Sequence, residues 1–237
     1  MTEKIYLEEI FEKYGNVYSE SKLLKPVAIF MMGIPSAGKT TILKPFIKNI
    51  LPLVLYDLDI LNSQEYLIKK NFITCNPDIL MLFIDQYEKS KEREYLTKAT
   101  ILNNKLVKMI LEKEEKYNFI YDATGSQYGH YIKHIENAKE QGYITILINV
   151  SIEPIKAFDR VSYRERKVSK EIINKLYKDI YDKKNDKSKY PNKNNLEILS
   201  EKVDVSLDID NNTQDEHYIK GIGNDKLKEE VYLDMIF

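Results

Sequence analysis

Short apolar runs punctuate this chain, each stopped by glycine or by acidic residues, with amphipathic stretches between them. Ala28-Ile29-Phe30-Met31-Met32 runs straight into Gly33, and the spacing predicts a buried strand over about 27–32, a loop over 33–40 and a helix over about 39–50. Pro45 inside that helix should kink it or shorten its regular part. Leu51–Asp59 reads as a second short strand ending in Asp57 and Asp59. Residues 63–117 read as mostly helical, with Asn76-Pro77-Asp78 opening one helix and Thr97–Glu112 forming a long amphipathic one. Lys116–Ser126 reads as the next strand with its catalytic end, Tyr143–Val150 as a buried strand, and Pro154 suits the first turn of the helix after it. Ser169 opens a helix whose inner face carries Ile172, Ile173, Leu176, Tyr177, Ile180 and Tyr181. Residues 182–195 read as a polar surface loop, Val203–Leu207 as a possible last strand and 224–236 as a final helix. Ahead of the first strand, Ile5, Leu7, Ile10, Phe11 and Tyr14 form a helical stripe. Strands alternating with amphipathic helices define an α/β protein of three layers, with a mostly parallel central sheet flanked by helices. The expected organisation is an N-terminal helical extension over 1–24 and one domain over 25–237. That domain carries a helical insertion over about 63–115 and a C-terminal extension over about 190–237.

Within this frame, Gly33–Thr40 reads G-x-x-x-x-G-K-T between a strand and a helix, the context that gives a P-loop its meaning. Glycines let the backbone turn its N–H groups inward around a phosphate, and the helix start adds positive potential. The phosphate-binding set is therefore Gly33, Ile34, Pro35, Ser36, Ala37, Gly38, Lys39, Thr40 and Thr41. Lys39 is placed to reach the β- and γ-phosphates of a nucleotide and Thr40 to offer its hydroxyl to Mg²⁺. Ligands in parallel sheets lie beyond the carboxyl ends of strands. Asp59 is the candidate base toward an acceptor hydroxyl, and Asp57 a residue that orients substrate or a Mg²⁺ water. Asp122 ends a strand as a candidate metal-holding acid, with Thr124 and Ser126 beside it as substrate hydrogen-bonders or caps. Arg160, Arg164 and Arg166 follow a later strand. Arg160 and Arg164 are one helical turn apart, and planar guanidinium groups suit phosphoryl oxygens. His130 and His134 share a helix face but lack a third ligand nearby, and both read as solvated.

Composition narrows the partners. Among 237 residues, 36 basic side chains face 37 acidic ones, a net charge of -1, so no overall positive field draws the chain to nucleic acid or to an anionic membrane. The lone Cys75 forms no intrachain disulfide, which points to a reducing, cytoplasmic setting. The N-terminus has no signal-peptide pattern, and no apolar run approaches membrane-spanning length. The guanine signature Asn-Lys-x-Asp is absent, which argues against a GTPase.

Gly33–Thr41, Tyr56–Asp59, Asp122–Ser126 and Arg160–Arg166 together resemble the zeta-toxin-like and polynucleotide-kinase-like P-loop kinases, a likeness over about residues 25–182. The run from the arginines to Leu176-Tyr177-Lys178 is similar to the lid of phage-type 5′-polynucleotide kinases. The resemblance implies a kinase-type P-loop NTPase fold, ATP as donor and Mg²⁺ as cofactor. It implies Lys39 and Thr40 on nucleotide and metal, Asp59 activating a hydroxyl, and Arg160 and Arg164 on the donor phosphates. For a toxin-type member it implies uridine-diphosphate N-acetylglucosamine as acceptor and a protein antitoxin as partner. Three features depart from the pattern. Asn62 stands where both groups usually carry arginine, Ser126 where toxin relatives carry another, and Asn103, Asn104 and Lys105 lie near the place of their acidic sugar-contacting residue. These departures leave the kinase core better supported than any toxin acceptor; the expected acceptor is a small molecule or nucleotide-sugar, with a nucleic-acid hydroxyl as the alternative. A nucleotide-dependent switch with little turnover is the reading from another class.

Overall fold

The computed structural model describes residues 25–57, 72–81, 84, 91–161, 167–183, 190–213, 217–221 and 231–233. Six successive apolar residues with no water-facing side form β1 (Val27–Met32), as a strand covered on both faces must. It is the central strand of the five parallel ones in a seven-stranded sheet ordered β2-β3-β1-β4-β5-β6-β7. The other strands are β2 (Phe72–Cys75), β3 (Asn118–Asp122), β4 (Ile144–Ser151), β5 (Val205–Asp210), β6 (His217–Gly221) and β7 (Val231–Leu233). The first five in spatial order are parallel, and β6 and β7 continue the sheet antiparallel. Helices flank the sheet, which is the three-layer α/β architecture the alternation predicts. The register sets Met31 beside Asp122, Met32 beside Asn149, and Ser151 beside Asp210. The carboxyl ends of β1, β3, β4 and β5 therefore open onto one edge. On that edge the strand order reverses about β1, where a ligand crevice forms.

Aromatic packing under this edge is dense. Phe30 meets Phe119 edge-on at 5.9 Å, and Tyr121 meets Tyr131 at 5.0 Å. Each such buried ring adds about 1.5–3 kcal/mol by burial alone. The Tyr131 hydroxyl donates to Met31 O at 2.6 Å, so the last turn of β1 is pinned from below, and burial pushes that phenol's pKa well up.

Several expectations are corrected. The run read as a strand over 51–59 is helical over its described residues, 51–57: α1 (Lys39–Pro45) passes through a π-helical turn, Phe46–Ile50, into α2 (Leu51–Asp57). Pro45 shortens the regular helix as its missing N–H requires. Leu51 N–H reaches back five residues to Phe46 O, a wider turn that makes room for the Pro52 ring. Asp57 thus ends a helix, not a strand. Inside the block read as mostly helical, β2 pairs with β3, followed by α3 (Pro77–Met81) and the long α4 (Glu92–Glu112). Further on come α5 (Tyr128–Glu140), α6 (Pro154–Val161), α7 (Lys170–Tyr181) and α8 (Asn195–Ser200). The strand expected over Val203–Leu207 falls at Val205–Asp210 and is not the last, and the helix expected over 224–236 gives way to β7 at Val231–Leu233. His134, read as solvated, is buried on the stripe Tyr131, His134, Ile135, Ala138, while His130 is exposed. The expected helix over 3–14 lies outside the described residues.

Candidate functional site

The loop after β1 is shaped by three left-handed backbone positions, Gly33 (φ 140°), Ser36 (φ 65°) and Gly38 (φ 92°). A Cβ at Gly33 would come within 2.6 Å of Val150 O, and one at Gly38 would run into the Asn211 carboxamide. Both positions need glycine on space as well as on backbone conformation. Gly33 N–H donates to Thr124 O at 3.1 Å, tying the loop to the end of β3. No side chain caps the start of α1, so the N–H groups of its first turn are left for a ligand. Thr40 and Thr41 lie exposed there, and the Ser36 hydroxyl is buried without a hydrogen-bond partner.

Lys39 folds back over this loop. Its Nζ donates to Gly33 O at 3.0 Å and stands 3.7 Å from Asp122 Oδ1. Asp122 Oδ2 accepts from Asn76 Nδ2 at 2.7 Å, while Oδ1 is buried with no hydrogen bond of its own. A carboxylate held on one oxygen and open on the other, on the same sheet edge as an exposed threonine at the helix start, fits the donor chemistry of a hard cation such as Mg²⁺. The Thr124 and Ser126 hydroxyls sit 2.9 Å apart just past β3. Arg160, in the last turn of α6, lies against the loop: Nη2 donates to Asn211 O at 3.0 Å, and Nη1 is 3.9 Å from where a Gly38 Cβ would be.

The structure thus gathers Gly33–Thr41, Asp122, Thr124, Ser126 and Arg160 on one edge. Asp59, Arg164, Arg166 and the Asp57 side chain lie outside the described residues. Three asparagines of the site escape sequence reading. Asn76 was legible only as a helix start: its Oδ1 accepts from Asp78 N at 2.7 Å while its amide holds Asp122. Asn195, fully buried, donates to Gly125 O at 2.9 Å and Ser126 O at 3.0 Å. Asn211 donates to Ala37 O at 2.6 Å. No motif marks the last two. Asn195 falls at the end of the stretch read as a polar surface loop, directly after Asn194, whose side chain caps α8.

A P-loop closing the central strand of this sheet, its lysine facing a strand-end aspartate, defines the nucleotide-binding class of P-loop kinase folds. Within that class the chain belongs to the Zeta toxin family, whose model matches residues 12–210. Among solved structures it is similar to a chain from the PezAT chromosomal toxin-antitoxin system of Streptococcus pneumoniae. That match has 18% identity, covers 88% of this chain and 76% of that one, and has a TM-score of 0.59. It is also similar to a chain of the AvrRxo1-ORF1:-ORF2 crystal structure with ATP, at 12% identity and a TM-score of 0.59, covering 98% of this chain and 65% of that one. The chain therefore spans a little under two thirds of that second protein. Both likenesses concern the fold. No protein with a curated description matches the chain.

Proposed function

We propose that this protein is a kinase that transfers the γ-phosphoryl group of ATP to a hydroxyl of a small molecule or nucleotide-sugar. The observation that carries the reading is the loop itself: Lys39 held between Gly33 O and Asp122, with Arg160 already resting beside Gly38. In this reading Gly33–Thr41 cradle the donor phosphates, and Arg160, with Arg164 and Arg166, neutralises charge on the transferring group. Asp59 takes the acceptor proton, with Asp57 orienting the acceptor and Thr124 and Ser126 hydrogen-bonding it. The acceptor oxygen bonds to the γ-phosphorus as the bond to the β–γ bridging oxygen breaks, ADP leaves, and the acceptor proton passes to Asp59. Thr40 and Asp122 are the residues to hold Mg²⁺, which when bound screens the phosphate charge. The block over about 63–115, bearing β2, α3 and α4, supplies the acceptor side. A protein antitoxin belongs to this reading through the family, and a cytoplasmic location through the buried free Cys75, whose thiol pKa burial pushes up.

The test is transfer of labelled γ-phosphate to a panel of nucleotide-sugars, nucleosides and 5′-hydroxyl oligonucleotides, with Lys39→Ala and Asp59→Asn alongside. Labelling of a sugar or small hydroxyl that vanishes in both variants, with ATP binding kept in Asp59→Asn, supports the reading. Labelling of oligonucleotides alone overturns the acceptor, and tight ATP binding without any transfer overturns the kinase.

A further inference from the structure

The turn after β5 lies 174 residues from the phosphate loop in sequence and touches it directly. Asn211, 6% exposed, makes three contacts that meet at one point. Its side-chain N–H donates to Ala37 O, its backbone N–H donates to Ser151 O at 2.9 Å, and its backbone carbonyl accepts from Arg160 Nη2. Its carboxamide fills the volume that a Gly38 side chain would take, with Arg160 Nη1 next to it. The neighbouring Asn212 staples the same turn at both ends: Oδ1 accepts from Glu153 N at 2.8 Å, just before α6, and the Nδ2 group donates to Asp210 Oδ1 at 2.6 Å. The turn is therefore anchored to β5 on one side and to the helix bearing Arg160 on the other.

A free arginine side chain samples many rotamers and loses that freedom when it closes on a phosphate. One already hydrogen-bonded beside the loop has met part of that cost on folding, which is preorganisation. We propose that Asn211 is the positioning residue of the donor-phosphate site, locking the loop carbonyl of Ala37 and the guanidinium of Arg160 into one unit. The inference rests on the nucleotide reading above and adds to it a residue outside every motif of the family resemblance.

The experiment is a double-mutant cycle on the full chain, with titration calorimetry of ATP in the presence of Mg²⁺ for the parent, Asn211→Ala, Arg160→Ala and the double variant. Residues in one network couple, so each single change should weaken ATP by roughly 10-fold, and Asn211→Ala should add no more than about 2-fold in the Arg160→Ala background. Penalties that multiply, or ATP binding by Asn211→Ala equal to the parent's, overturn the proposal. A purely structural role gives the multiplying result, because it takes no account of Arg160. If thermal melts show Asn211→Ala unfolded, Asn211→Asp takes its place: it keeps the shape, loses the donor and turns a carboxylate toward Ala37 O. It should weaken ATP at least as much, with the same dependence on Arg160, and ATP binding by this variant equal to the parent's overturns the proposal too. A parent that binds no ATP is a different result, because it removes the nucleotide reading itself.

Discussion

Asn76 does two jobs with one side chain, and two substitutions separate them. Asn76→Ala removes a hydrogen bond to a buried carboxylate, about 1.5–3 kcal/mol, and the cap on Asp78 N, about 1 kcal/mol. The expected loss is about 3 kcal/mol in urea denaturation at pH 7.5, a large part of a typical total of roughly 5–15 kcal/mol. Asn76→Asp keeps a good capping oxygen but sets a second carboxylate where the amide donor stood, 2.7 Å from Asp122 Oδ2. Two carboxylates at that distance do not both stay ionised easily, so the variant holds a proton between them with a raised pKa. The sign follows: the native variant binds more protons than its unfolded chain at neutral pH, so its deficit against the parent is greatest there and narrows toward pH 4.5. On the proposal that Asp122 holds Mg²⁺, Asn76 is an outer-sphere partner worth roughly 10–100-fold in metal affinity, and Asn76→Ala should raise the Mg²⁺ needed for ATP binding by that factor. A deficit below about 0.5 kcal/mol for Asn76→Ala, or one for Asn76→Asp that stays flat with pH, would falsify the role of Asn76 as the partner that holds Asp122.

Two further outcomes follow from buried groups. His134 is buried, with Nε2 3.0 Å from Asn104 Oδ1 and its ring against Tyr121. Desolvation first, then the nearby His130 and Lys133 charges, bring its pKa from 6.5 to about 4. The unfolded chain therefore binds the proton that the native one refuses. Stability is whole above pH 6.5 and falls toward pH 4 by up to about 3 kcal/mol, a slope that His134→Gln should flatten. An unchanged slope in that variant refutes the assignment. Gly38→Ala forces an L-residue to φ 92° and pushes its Cβ into the Asn211 carboxamide. The combined cost, about 2–3 kcal/mol, should lower the Tm by roughly 5–10 °C, and a Tm equal to the parent's would show that the loop relaxes freely.

What was legible in the sequence is what short-range pattern carries. Ala28–Met32 running into Gly33 and Gly38 fixed strand, loop and helix start, because burial on both faces and positive φ leave a local trace. Leu51–Leu55 shows the limit: five apolar residues have no period, and Pro52 is as acceptable in the first turn of a helix as at a strand's start. Phe72–Cys75 is a four-residue edge strand, too short to show alternation against its surroundings. His134 could have been found from its i, i+3, i+4 neighbours Tyr131, Ile135 and Ala138. Asn195 and Asn211 could not, because their partners lie 70 and 174 residues away, and only folding brings them together.

That last separation also sets a clock. The phosphate loop emerges early in synthesis, while the residue that braces it comes 174 residues later. At about 5–20 residues per second, roughly 10–35 s pass between the two. Until Asn211 has left the ribosome and β5 has docked on β4, the loop lacks its brace and Arg160 its seat. Fragments cut short before that point carry the whole phosphate-binding signature without the Asn211 contacts. An unfinished chain therefore holds the loop sequence without the contacts that Asn211 adds to it.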